Sequence, residues 1–204
     1  MSEPVYTPTV HRMIIPDHYG GHMSEHLGLV LHVAEANGSL HGYFTRTTSP
    51  SRKSATWWVS KAGRIEQYVP GSMEAWAQAD GNATYNSVET EGHATESFAL
   101  FQVAGLAHLM QRGHDKWGWP FHLADKPGHR GLGIHSMGGE AWGGHSCPGT
   151  IRARERATIL AMAEGRNCEP VDAELKVQVE HFKATHGLPH NAVIGPRVRA
   201  LLSL

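Results

Sequence analysis

The chain has 204 residues, room for one domain of ordinary size and a small module. Its 18 Lys and Arg nearly balance 19 Asp and Glu, so neither a nucleic-acid partner nor an acidic solvating tail is indicated. No apolar run approaches the ~20 residues of a membrane span. The opening "MSEPVYTPTVHRMIIPDHYGG" shows no signal peptide, and two cysteines cannot build a disulfide framework.

In chain order, "LGLVLHVAEA" (27–36) is an apolar run broken by His32 and predicts a central strand buried on both faces. "TWWVSKAGRIEQYVP" (56–70) predicts two strands around a Lys-Ala-Gly turn, closed by Pro70. "NSVETEG" (86–92) predicts a short strand in which Val88 alternates with polar neighbours. "TESFALFQVAGLAHLMQRG" (95–113) places Phe98, Phe101, Gly105 and Leu109 on one helical stripe, with Thr95 as N-cap and Gly113 as C-cap. The Gly- and His-rich stretch 113–149 has too little periodicity for long elements. "TIRARERATILAMAEG" (150–165) predicts a second helix ending at Gly165, and "RNCEP" (166–170) reads as a linker. Residues 171–204 then predict one helix, a Gly-Leu-Pro turn and a short C-terminal helix. The expected class is α/β, a sheet flanked by helices, with domains at 1–165 and 171–204.

Sixteen histidines raise the prospect of a metal, although most are expected on the solvated surface. His32 interrupts a buried strand, where an unpaired imidazole costs several kcal/mol; a core histidine bonded to backbone is the plainer reading. His135 sits in a glycine-rich loop that tolerates a histidine without purpose. Cys147 precedes a proline, which favours an extended backbone, so His145 and Cys147, at i and i+2, share one face. A thiol and an imidazole facing one pocket suit a soft metal or nucleophile chemistry, with an inert buried thiol as the alternative. Glu89 and Glu91 share one face of their strand; a solvated face is the plainer reading, although "AWAQADGN" and a helix on either side place the strand near the sheet's interior.

Four segments together resemble the zinc-dependent N-acetylmuramoyl-L-alanine amidases of the phage-lysin and peptidoglycan-recognition-protein superfamily. "LVLHVAEANG" resembles that family's first metal strand, and "SATWWVSKAGRIEQYVPGSMEAWAQADGN" its hairpin with the following Ala-Trp. "NSVETEG" is similar to its Ile-Gly-Ile-Glu-Leu-Glu-Gly strand, and "HSCPG" to its ligand-Pro-Gly closure. The resemblance implies a central mixed β-sheet flanked by helices and one Zn2+ per chain. It implies His32, His135 and Cys147 as ligands, with the fourth position left to water. Glu89 matches the position of a general base, and His145 falls where relatives carry Lys or Thr near the scissile carbonyl. The implied reaction is attack of a zinc-activated water on the amide joining N-acetylmuramic acid to L-alanine. Zinc and a protonated His145 would stabilise the oxyanion.

Three departures accompany the match. His135 lies twelve residues before Cys147, where about eight is usual, through the insertion "MGGEAWGG"; His145, or more distantly His129, is therefore an alternative second ligand. Ala55 and Thr56 stand near the position of a hairpin Tyr that some members use in catalysis. The Cys ligand, usually lost in relatives that only bind wall, is kept. "VEHFKATHGLPHNAVIGPRVRALL" resembles the later half of a helical peptidoglycan-binding module, with a helical cap on the amidase as the alternative. Trp57, Trp58 and Trp142 are candidates for lining the sugar or peptide groove, with core packing the expected role for at least one.

The expected partner is bacterial peptidoglycan, with no nucleic acid and no membrane, and the expected state is a monomer. The protein would be made in the cytoplasm and act on the cell wall after release, by holin-type export if viral. Two rivals stand beside this endolysin-like reading: a zinc-holding wall binder without hydrolysis, and a cysteine peptidase using Cys147 and His145. The second is disfavoured because both residues sit on one segment with no separately held base.

Overall fold

Strand alternation decides which residues of this chain meet. Among the described residues, 8–48 and 52–165 of a computed structural model, the strands are β1 (Val10–Arg12), β2 (Tyr19–His22), β3 (Gly28–Val33), β4 (Trp57–Val59), β5 (Ile65–Gln67), β6 (Met73–Ala75), β7 (Tyr85–Thr90) and β8 (Gly131–Ile134). The helices are α1 (His41–Phe44), α2 (Leu100–Trp117), α3 (Thr150–Arg154) and α4 (Arg156–Ala163), with 3-10 turns at Ala79–Gly81 and His135–Trp142. Six strands form one sheet in the order β1-β5-β4-β7-β3-β8, and β2 pairs with β6 apart from it. The β4–β5 hairpin is antiparallel, while β1–β5, β4–β7, β7–β3 and β3–β8 are parallel. This is the mixed α/β sheet expected from the sequence.

Successive side chains of a strand point to opposite faces. On β3, Leu29 and Leu31 join the main core with Trp57 and Val59 of β4, Val88 of β7 and the apolar sides of α2 and α4. Val30 points the other way, against Tyr85 and Trp142. His32 follows Val30 in the alternation. Its register partner is Glu89 on β7, whose partner on β4 is Trp58. One row of the sheet therefore carries His32, Glu89 and Trp58 on the face away from α2.

Several elements differ from the sequence reading. Helix α2 begins at Leu100 rather than near Thr95, because side chains pin the preceding turn. The Glu96 carboxylate accepts the His93 N–H, and that of Glu155 accepts the Phe98 N–H. The helix runs past Gly113 to a left-handed Gly118 (φ 68°), the C-cap position that glycine favours. Gly113 serves packing instead: a Cβ there would lie 1.8 Å from Trp119 Cε3. Helix propensity alone would make Gly113→Ala stabilising by about 1 kcal/mol. Overpacking should win, so the expected result is a net loss of ~1–3 kcal/mol, read from chemical denaturation; an unchanged midpoint would refute this.

The 150–165 helix is broken at Glu155 into α3 and α4. Strands β1, β2 and β6 and helix α1 carry no sequence expectation, each being three or four residues long. The linker 166–170 and the 171–204 segment lie outside the described residues. No helix among the described residues is long and apolar enough to cross a membrane.

Candidate active site

The parallel strands β3, β7 and β8 run the same way, so their C-terminal ends open onto one edge, where ligands of open α/β sheets bind. His32 lies near the end of β3, Glu89 near the end of β7, and His135 directly after β8. Cys147 comes from the loop before α3, stitched to the sheet by two bonds. Its Sγ accepts the Val33 N–H at 3.2 Å, and its carbonyl accepts the Ser136 N–H at 2.9 Å. Together His32, His135 and Cys147 bring one ligand atom each to within 4.8 Å of the others.

The twelve-residue separation of His135 and Cys147 has a structural reason. Most of the insertion lies in two short 3-10 turns between His135 and Trp142, kinked at Gly139, and the segment folds back so that the Trp142 carbonyl accepts from His135 Nε2 at 2.8 Å. The indole of Trp142 is a wedge. A Cβ on Gly138 would lie 2.0 Å from its ring, and one on Gly81 2.5 Å. Glycine at both positions lets the indole lock the His135 segment against the turn at Ala79–Gly81.

Burial holds both imidazoles neutral. It lowers His32 to about 3, helped by neighbouring His135, and it lowers His135 as well. Burial pushes the Cys147 thiol up to about 12, with the Glu89 charge adding to the effect. Two neutral nitrogen donors beside a thiol whose ionisation needs a nearby cation make a donor set suited to a zinc-like ion. Burial also raises Glu89 to about 7, and its Oε2 is buried without a hydrogen-bond partner. Glu91 differs. Its two oxygens accept the Gly38 and Lys61 N–H groups, each at 2.7 Å, so it stitches loops together.

Two clefts of about 640 and 650 Å³ meet here, sharing Lys53, Trp76, Ala77 and Glu89. The first also holds His32, His135, His145 and Cys147. His145 is exposed on the rim, its ring centroid 4.7 Å from that of His135. His129 is exposed, apart from the three-residue group, and its carbonyl accepts the Tyr85 hydroxyl at 2.6 Å. Of the three candidate tryptophans, Trp57 and Trp58 are buried in core clusters; only Trp142 borders this cleft, and it is 3% exposed. The half-buried aromatic facing both clefts is Trp76, quoted within the hairpin match but given no role from sequence.

Two further residues escaped the sequence reading. Arg152 is fully buried and donates to the carbonyls of Thr90, Glu91 and Glu96 and to Thr90 Oγ1. Thr90 Oγ1 in turn donates to the His32 carbonyl at 2.5 Å, which fixes the backbone of the first donor. Gln78, 1% exposed, bonds to the His32 ring through Oε1 at 3.0 Å.

A nitrogen-nitrogen-sulfur donor group beside an unpartnered carboxylate, at the carboxyl edge of a parallel sheet, is the arrangement of a hydrolytic enzyme. The family model of N-acetylmuramoyl-L-alanine amidases matches residues 18–150, and the chain belongs to that family. It is a peptidoglycan amidase, with the amide bond between N-acetylmuramic acid and L-alanine as its target. The fold is similar to that of an AmpD selenomethionine derivative (20% identity, 76% of this chain and 96% of that one, TM-score 0.60). It is also similar to the hydrolase AmiA of Staphylococcus aureus solved with its ligand (14%, 78% and 93%, 0.55). A third likeness is to the amidase LysC of Clostridium intestinale URNW (14%, 90% and 100%, 0.51). No curated protein matches the chain in sequence.

Proposed function

We propose that this amidase is zinc-dependent, with His32, His135 and Cys147 holding one ion per chain, Glu89 moving the proton and His145 steadying the developing charge. The observation that carries the reading is the convergence of three donor atoms within 4.8 Å, in the cleft that also contains Glu89. When bound, zinc supplies a Lewis acid and lowers the pKa of a coordinated water towards ~7.

The chain's own residues do the rest. Glu89, whose Oε2 is buried without a hydrogen-bond partner, takes a proton from the attacking water as its oxygen bonds to the lactyl carbonyl carbon. A His145 ring N–H, placed on the rim, donates to the carbonyl oxygen as negative charge gathers there. The C–N bond then breaks, and the proton held by Glu89 passes to the nitrogen of the departing L-alanine. Trp76, on the wall common to both clefts, offers an apolar surface to the substrate.

The test is metal content against activity. The purified protein should carry one zinc per chain, lose release of stem peptide from cell walls on chelation, and regain it with added zinc. Full lysis by a demetallated protein would overturn the reading.

We further propose that it acts as a monomer on the wall after release from the producing cell. The pattern in 171–204 supports a wall-binding role for that segment. A chain ending at Gly165 should then keep hydrolysis of soluble fragments and bind intact walls more weakly. Insolubility of that shortened chain would make 171–204 part of the amidase core.

A further inference from the structure

We infer that Gln78 is a positioning residue: with the Trp142 carbonyl it holds both site imidazoles as Nε2–H tautomers, so that each turns Nδ1 to the metal. The inference rests on the zinc reading above for its consequence, but its first step needs only hydrogen bonds.

A primary amide has one acceptor end and one donor end. Gln78 Nε2 lies 3.0 Å from the Tyr85 carbonyl and 3.3 Å from that of Gly81. Carbonyls only accept, so the donor end of Gln78 is spoken for and Oε1 is what faces His32 Nε2, at 3.0 Å. An amide oxygen also only accepts. The proton of neutral His32 is therefore on Nε2, and its lone pair is on Nδ1. The same reasoning applies to His135, whose Nε2 faces the Trp142 carbonyl at 2.8 Å. A ligating histidine needs this kind of partner on its other nitrogen to fix tautomer and ring orientation.

The turn around Gln78 is itself held. Asn82 Oδ1 accepts the N–H groups of both Ala77 and Gln78, at 3.1 and 2.8 Å. Ala79 sits at φ 44°, a conformation that side chains disfavour and that surrounding structure must impose. The Trp142 indole presses on the same turn at Gly81. The partners of His32 and His135 are thus two ends of one packed unit, Gln78 lying 46 residues from His32 and Trp142 seven from His135.

The test uses ring-nitrogen NMR on the metal-free full chain, then zinc competition against a chelator. In the unaltered protein His32 and His135 should each show one tautomer, protonated on Nε2. Gln78→Leu should give His32 mixed tautomers, leave His135 unchanged, and weaken zinc binding about 10–100-fold. Gln78→Glu also loses the donated bonds to Tyr85 and Gly81 but keeps an acceptor for His32. It should hold the Nε2–H tautomer and bind zinc within a few-fold of the unaltered chain.

A His32 protonated on Nδ1 in the unaltered chain overturns the inference, as does Gln78→Leu with unchanged tautomer and zinc affinity. Gln78→Glu as weak as Gln78→Leu does so too, by showing that the donated bonds alone matter. If Gln78→Leu does not fold, the unaltered chain and Gln78→Glu still decide it. Failure of the unaltered chain to bind zinc would sink the metal reading and the coordination step, while the tautomer spectra would still report on Gln78.

Discussion

Glu89→Gln should lower the rate of amide cleavage by about 10²–10⁴, the usual contribution of a positioned general base, while the protein still binds one zinc. The substitution keeps shape and removes only the ability to take a proton. Because Oε2 has no hydrogen-bond partner, no bond to that atom is lost. Stability should move the opposite way from activity. A carboxyl whose folded pKa is raised from 4.5 to about 7 costs stability once it ionises. The cost is absent below about 4.5, grows as pH rises through that window, and is fully present above 7. In metal-free protein, the Tm of Glu89→Gln should therefore exceed that of the unaltered chain most above pH 7 and equal it at pH 4. A variant with undiminished rate would remove Glu89 from proton transfer; a lower Tm at pH 8 would mean that its carboxylate is held by a favourable interaction.

How much of this was legible beforehand follows from the range of each signal. His32 stood out because a buried apolar strand seldom carries a histidine, and its strand lies between β7 and β8, as the apolar run on either side of it implied. The i, i+2 relation of His145 and Cys147 correctly placed both on one cleft, since it depends only on local backbone. Gln78 left no comparable trace. Its partner is 46 residues away, and a glutamine in a loop reads as solvated until the fold buries it. Arg152 was hidden for a related reason: on a short helix it reads as an exposed cation, and only the carbonyls of Thr90, Glu91 and Glu96 that it meets in the fold explain its burial. Gly113 was misread because a helix-ending glycine and one that admits a tryptophan look alike in sequence. Trp57 and Trp58 lie on opposite faces of one strand, and alternation alone does not say that both faces are covered.

His135→Ala and His145→Ala should fail in different ways, and the contrast decides which histidine is the second ligand. His135 is 7% exposed, its Nε2 is committed to the Trp142 carbonyl, and it belongs to the three-residue group with His32 and Cys147. Removing it deletes one of three protein donors, so zinc should be lost or bound far more weakly, and activity should fall to background with it. Cys147→Ser and His32→Ala should behave the same way. His145 is exposed on the rim beside His135, in reach of a substrate rather than locked into the donor group. His145→Ala should keep its zinc and lose about 10²–10³ in rate, the usual cost of one donor to a developing oxyanion. Lysine at 145 should restore part of that loss, because it returns an N–H donor with a fixed positive charge to the same place. Zinc stoichiometry and rate measured on both alanine variants separate the roles. A metal-free His145→Ala beside a zinc-loaded His135→Ala would exchange them, making the rim histidine the ligand and the buried one its support.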